Sequence, residues 1–131
     1  MRRNYGMKLP DSRRKKDIEN GVMKITDIPF QTVDWRMVEP TEHAGERGMA
    51  VWRTKQHGDI RVRMVEYSRG YQADHWCSKG HFILLLEGEL TTELRDGRVF
   101  TMKSGMSYHV ADGDPPHRSR TESGARLFIV D

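Results

Sequence analysis

The chain has a single cysteine, so no disulfide can form within it, and a lone thiol suits a reducing, cytoplasmic compartment better than an oxidising one. No apolar run approaches the ~18 to 20 residues needed to cross a bilayer, and no apolar signal-peptide core follows the start. These shortages exclude a disulfide-stapled scaffold and a helical membrane protein, and point to a cytoplasmic chain with no membrane partner. A sustained helical period is also missing, and no stretch repeats another. With 131 residues the chain can bury one core but not two.

Strong charge of one sign is missing from most of the chain as well. The formal net charge is +3, yet residues 1–22 hold Arg2, Arg3, Lys8, Arg13, Arg14, Lys15 and Lys16 against Asp11, Asp17 and Glu19, leaving 15 basic and 16 acidic residues elsewhere. A basic arm could bind nucleic acid or anionic lipid. This one lacks interleaved aromatics and an amphipathic period, and Pro10 and Gly21 interrupt it. Residues 1–22 are therefore expected to be a disordered extension, with no specific nucleic-acid binding, before one domain over 23–131 that begins at Met23. The acidic residues in that extension also argue against an organelle transit peptide.

What is present from Met23 onward is a series of short alternating runs broken by turn signals. Gln31 to Glu39 is ambiguous, and Pro40 to Gly48 reads as a polar loop. Met49 to Thr54 reads as a strand, and Gln56-His57-Gly58-Asp59 as a turn. Ile60, Val62 and Met64 alternate with Arg61, Arg63 and Val65. Opposite that apolar face the two arginines are expected in solvent, the other option being a pocket for a carboxylate. His81 to Leu86 is apolar on both faces, which calls for a second sheet, a helix or a second subunit on the outside; a homodimer is expected. Leu90, Thr92 and Leu94 alternate next, Asp96-Gly97 is a strong hairpin turn, and Val99 to Met102 returns. Met106, Tyr108 and Val110 form another alternating face, Pro115-Pro116 ends it, and Leu127 to Val130 is a last strand. About eight to ten short strands without a long helix imply an all-β jelly roll or related double sheet.

The densest chemistry lies at 70–90. His75, Cys77 and His81 fall within seven residues just before the apolar strand. Residues two apart on a strand share a face, so an extended segment would present His75 and Cys77 together, and His81 keeps their parity. Asp74 is expected to point away from His75. Imidazole and thiolate donors on one face suit a transition metal.

The pattern resembles the small cupins, whose motifs run G-x5-H-x-H-x(3,4)-E-x6-G and G-x(5-7)-P-x-G-x2-H-x3-N. Counting back from Gly88, His81 stands at the glutamate position, Cys77 at the second histidine and His75 at the first, with Gly70 one residue out of place. In the second motif Gly105 and Gly113 match, Ala111 replaces proline and Thr121 replaces asparagine. His117 takes the histidine position after a spacing one residue longer than the motif. The string Asp74-His75-Trp76-Cys77 resembles a cupin subgroup labelled by those four residue types, over about Met23 to Asp131. The resemblance implies a cupin-type jelly-roll β-barrel (double-stranded β-helix) and brings His117 to His75, Cys77 and His81 as metal ligands.

Thiolate for imidazole, and imidazole for carboxylate, make this donor set softer than the motif's own. It suits zinc or iron, with nickel or copper also fitting, rather than magnesium or calcium. Tyr108 is expected to face the interior, where its hydroxyl could donate a hydrogen bond near the metal or simply pack. If four side chains fill a zinc sphere, the site is structural or regulatory; if Cys77 stays off, open positions remain. Two functions follow. One is a metal-dependent oxygenase or isomerase acting on a small polar molecule, a range the cupin likeness implies. The other is a non-catalytic module that the metal stiffens or that senses a ligand or redox state through Cys77.

Overall fold

The computed structural model of the protein describes residues 25–113 and 115–131. The basic extension 1–22 and the domain start at Met23 lie outside the described residues. The chain divides into two units, Met1–Phe30 and Gln31–Asp131, and every strand among the described residues belongs to the second.

The ambiguous stretch 31–39 contains one turn of 3-10 helix, Trp35–Met37, capped by Asp34, whose carboxylate accepts from the Arg36 amide at 3.1 Å. Eight strands follow: β1 Pro40–Ala44, β2 Met49–His57, β3 Ile60–Tyr67, β4 His81–Leu94, β5 Val99–Lys103, β6 Ser107–Val110, β7 His117–Arg120 and β8 Ala125–Val130. All pairings among the described residues are antiparallel. One sheet runs β1-β2-β3-β8-β4-β6 and the other β5-β4-β7. The class is all-β, as the alternation implies.

The polar stretch from Pro40 to Gly48, read as a loop, contains β1. This strand pairs on one side only, and four of its five residues are exposed. An edge strand with no buried face has nothing to impose alternation on its sequence, and proline is tolerated at a strand's first position.

β4 belongs to both sheets. Its first half lies between β8 and β6, its second between β5 and β7. The crossing is made at a β-bulge between Leu85 and Glu87, a device that bends a strand and increases its twist. Gly88 follows with φ of 85°, where a side chain is strained, and a Cβ there would run into the Gly124 carbonyl.

The register sorts the interior into rows. Val65, Leu127 and Leu85 lie side by side across β3, β8 and β4. The next row holds Arg63, Ile129, Ile83 and, on β6, Tyr108. At the end come Arg61 and Asp131, which exchange backbone hydrogen bonds, with His81 beside them. Leu85, Leu127 and Leu90 are fully buried, each stabilising the fold by about 1.5–3 kcal/mol. One end of the double sheet is therefore an apolar core and the other is polar.

That order corrects the reading of β3. Arg61 and Arg63 were expected in solvent, but they share the inner face with Val65, and Arg63 is only 6% exposed. Val62 and Met64 take the outer face, where they are half-buried. The two-sided run on β4 is apolar on both faces: His81, Ile83 and Leu85 are buried, while Phe82 is 64% and Leu84 38% exposed. No helix among the described residues is long and apolar enough to cross a membrane.

Gly88→Ala should cost about 1–3 kcal/mol through backbone strain, lowering the thermal midpoint by several degrees. Gly97→Asn, at an open turn position with φ of 100°, should cost far less. A Gly88→Ala midpoint equal to wild type would show that the bend in β4 does not need glycine.

Candidate metal centre

Cys77 reaches the site through a single bridge rather than a strand. Its amide donates to the His117 carbonyl at 2.7 Å, and the His117 amide returns the bond to the Cys77 carbonyl at 3.0 Å. Opposed residues that exchange both bonds carry their side chains on the same face, so sulfur and imidazole emerge together. His117 opens β7 in one sheet and His81 opens β4 in the other. Cys77 Sγ and one nitrogen from each of the two histidines all lie within 4.8 Å of one another.

The ring nitrogens are arranged to present lone pairs. His117 Nδ1 donates to the Pro115 carbonyl at 3.1 Å; a carbonyl can only accept, so this nitrogen carries a proton, and in the neutral ring Nε2 is the bare one. His117 Nε2 stands 2.8 Å from His81 Nε2. His81 Nδ1 is buried without a hydrogen-bond partner and faces the Asp131 carboxylate at 3.7 Å. With the His81 proton on Nδ1, toward that carboxylate, two lone pairs meet, and a cation resolves the conflict. With the proton on Nε2 instead, a lone pair would face a carboxylate. The sulfur and two imidazoles form a donor set of the kind that can hold a transition metal ion.

The electrostatics bias Cys77 and His117 toward a charged pair and His81 toward neutrality. A hydrogen bond with His117 holds the Cys77 thiol below its ordinary pKa, although burial opposes this. Burial works against protonation of His117, but the Cys77 sulfur and the Pro115 carbonyl outweigh it and raise its pKa. Burial pushes His81 down, with Asp131 only partly offsetting it, so this imidazole is kept neutral and available as a ligand. Burial alone would raise Asp131; Arg61, His81 and Arg63 prevail and hold its carboxyl far below the usual range.

Of the sequence-predicted residues, the structure brings Cys77, His81 and His117 together and leaves His75 outside the group. The chain bends at Asp74 and His75, which breaks the extended run that the parity argument assumed. Asp74, expected to point away, instead binds His75 Nδ1 at 2.6 Å, and the His75 side chain is 75% exposed. Tyr108 lies on the inner face with its hydroxyl 3.4 Å from His81 Nε2, and burial raises its pKa to about 12.

A cavity of about 460 Å³ opens on the three donors and is also lined by Trp52, Arg61, Arg63, His75, Lys79 and Tyr108. Sequence reasoning missed Asp131 altogether. Its signal was the alternation Leu127, Ile129, Asp131, which continues the inner face one residue past β8. Arg61 and Arg63 carried the matching signal through Val65, which shares their parity.

An RmlC-like cupin from Shewanella frigidimarina matches the structure with a TM-score of 0.64 at 13% identity, over 78% of this chain and 89% of that one. The fold is cupin-like. The cupin domain of Schizosaccharomyces pombe Cnp3 matches at 0.60 and 15% identity, over 76% and 71% of the two chains. Fe(II)-HppE with an alternative substrate matches at 0.63 and 14% identity, over 79% and 60%. No family model matches the chain, and no curated protein matches it by sequence. One fold hosts many functions, so these likenesses assign the cupin-like architecture alone.

Asp131→Asn should deprive two inner-face guanidiniums of the side-chain carboxylate they share. Breaking a buried pair from one side costs about 3–5 kcal/mol, and the lower end applies because the Arg61 side chain is 28% exposed. Because the folded pKa of Asp131 is depressed, its stabilisation is fully present above the unfolded value of ~3.9 and is lost as pH falls below it. Denaturant titrations should therefore show wild type losing its advantage over Asp131→Asn as the solution is acidified through that window. Parallel stability curves would rule out this role for the carboxylate.

Proposed function

We propose that the protein is a metal-binding cupin, related to the subgroup named for the string at 74–77, in which Cys77, His81 and His117 hold one divalent transition metal, zinc or iron. The observation that carries this reading is the pair of Nε2 atoms 2.8 Å apart, each on a ring whose other nitrogen faces an oxygen. Metal-bound imidazoles are typically supported in this way: the far nitrogen's proton goes to a carbonyl or carboxylate, which sets the tautomer and frees the near lone pair. Cys77 adds a sulfur already biased toward thiolate. The name of one structural neighbour, Fe(II)-HppE, supports iron beside zinc; nickel and copper also suit the donors.

Three protein donors leave positions for a molecule in the cavity, on which the ion would act as a Lewis acid. Tyr108 stays protonated to about pH 12 and can donate a hydrogen bond to that molecule. His75, at the cavity wall, is the reserve fourth donor. An oxygenase or isomerase acting on a small polar molecule fits a centre of this kind. The second reading, a non-catalytic module reporting redox state through Cys77, is favoured by the Cys77–His117 pairing, which activates the thiol without any metal.

Protein purified without a histidine tag should carry close to one metal per chain. Cys77→Ser, His81→Ala and His117→Ala should each weaken retention at least tenfold and lower the thermal midpoint of loaded but not of chelated protein; His75→Ala should do less. Alkylation of Cys77 should be slow until a chelator removes the ion. A metal-free protein whose thiol reacts at neutral pH would favour the redox module. Metal content untouched by all of the substitutions would sink the site.

We also propose a second copy of the chain as the cover for the outer face of β4, where Phe82 and Leu84 are exposed. Such apolar area is usually covered by a partner. Sedimentation at micromolar concentration should give a dimer, and Phe82→Asp a monomer with unchanged metal content. A wild-type monomer under the same conditions would remove this partner.

A further inference from the structure

Two guanidiniums face the metal-side cavity and share one carboxylate. Arg61 takes both oxygens of Asp131, with Nε donating to Oδ1 at 2.8 Å and an Nη2 donating to Oδ2 at 2.9 Å. Arg63 keeps one bond, Nη2 to Oδ2 at 2.9 Å, and its buried Nε has no partner. Arg63 is also the deeper of the two, its side chain 7% exposed against 28%. Trp52 supports the Arg63 guanidinium from one side, 4.3 Å from ring centroid to Cζ, but an aromatic face carries no net charge to cancel it.

The charges lining the cavity do not balance. Asp131 is the only acidic residue there among the described residues. Against it stand Arg61, Arg63, Lys79 and Arg118, and of these Arg118 is satisfied by Glu93 at 2.7 Å. A bound divalent ion beside one thiolate would add a further positive charge. Holding an excess guanidinium in the interior is costly unless an anion meets it, and a position that only needed filling would be more stable with an apolar side chain.

We propose that the cavity's ligand is a small organic acid whose oxyanion group, carboxylate or phosphate, lies on Arg63 while its other polar end faces Cys77, His81 and His117. This rests on the metal reading for the second contact and on Arg63 alone for the first. Arg63 stands one inner-face row from His81, roughly 7 Å along the strand direction, a span that fits a short acid. Lys79 at the wall adds attraction for an anion entering from solvent.

The test uses the full chain, both metal-loaded and chelated, with propionate, methyl phosphate and neutral propionamide as probes at matched ionic strength. Propionate or methyl phosphate should raise the thermal midpoint of wild type, and propionamide should not; whichever anion acts at lower concentration identifies the oxyanion. Arg63→Met should raise the half-saturating concentration at least tenfold, and Arg63→Lys should recover part of the loss. Because Asp131 keeps its two bonds to Arg61, Arg63→Met is expected to fold, checked by a cooperative unfolding transition; if it does not fold, Arg63→Lys and Arg63→Gln carry the comparison. Anion binding that persists in chelated wild type and disappears in Arg63→Met upholds the proposal even if the metal reading fails. Anion binding to loaded protein that is equally strong in the Arg63 variants would make the metal the binding group and overturn the proposal, as would equal stabilisation by propionamide.

Discussion

Asp131 has no exposed side-chain surface, and its carboxylate meets Arg61 and Arg63 at 2.8–2.9 Å while facing His81 Nδ1 at 3.7 Å. A carboxylate in that position is tolerable only because it stays ionised among cations. Two arginines can turn inward on β3 because this anion waits for them, and the His81 proton is drawn to Nδ1 because the same anion lies on that side. Without it, the guanidiniums would stand uncompensated on the inner face, the imidazole would lose its orienting partner and the cavity would carry more positive charge. The polar end of the double sheet is organised around one oxygen pair.

Much of the fold was legible. Alternation located most of the strands from Met49 onward, and Asp96-Gly97 marked a turn that the structure contains, with Gly97 at φ of 100°. β1 was not legible, because an exposed edge strand leaves no apolar mark. The continuity of β4 was hidden as well: a bulge shifts side-chain parity midway, so one strand reads as two. The inward turn of Arg61 and Arg63 could be read only by weighing Val65 above Val62 and Met64, and composition offers no reason to do that without knowing of Asp131.

The candidate site was legible where it depends on residue type and not where it depends on local conformation. Cys77 and His81 stood out as soft donors, His117 came in only with the cupin resemblance, and the structure gathers the three. His75 carries the same chemistry, but its place rests on the backbone at 74–75, where a side chain of one residue binds that of the next. Spacing along the chain cannot reveal such a bend. The carbonyl of Pro115, which sets the His117 tautomer, is a backbone atom and leaves no trace in residue identity at all.

β4 is the spine through which both sheets are joined, since its two halves pair with β8 and β6 on one side of the bulge and with β5 and β7 on the other. Neither sheet can detach without tearing hydrogen bonds from a strand that the other still holds. Local opening is therefore easiest at the outer strands, which pair on one side only, and hardest along the paired segments of β4 on either side of the bulge. The donors at His81 and His117 come one from each sheet, so anything held between them acts like a clasp at the mouth of a purse whose seam lies along the bend of β4.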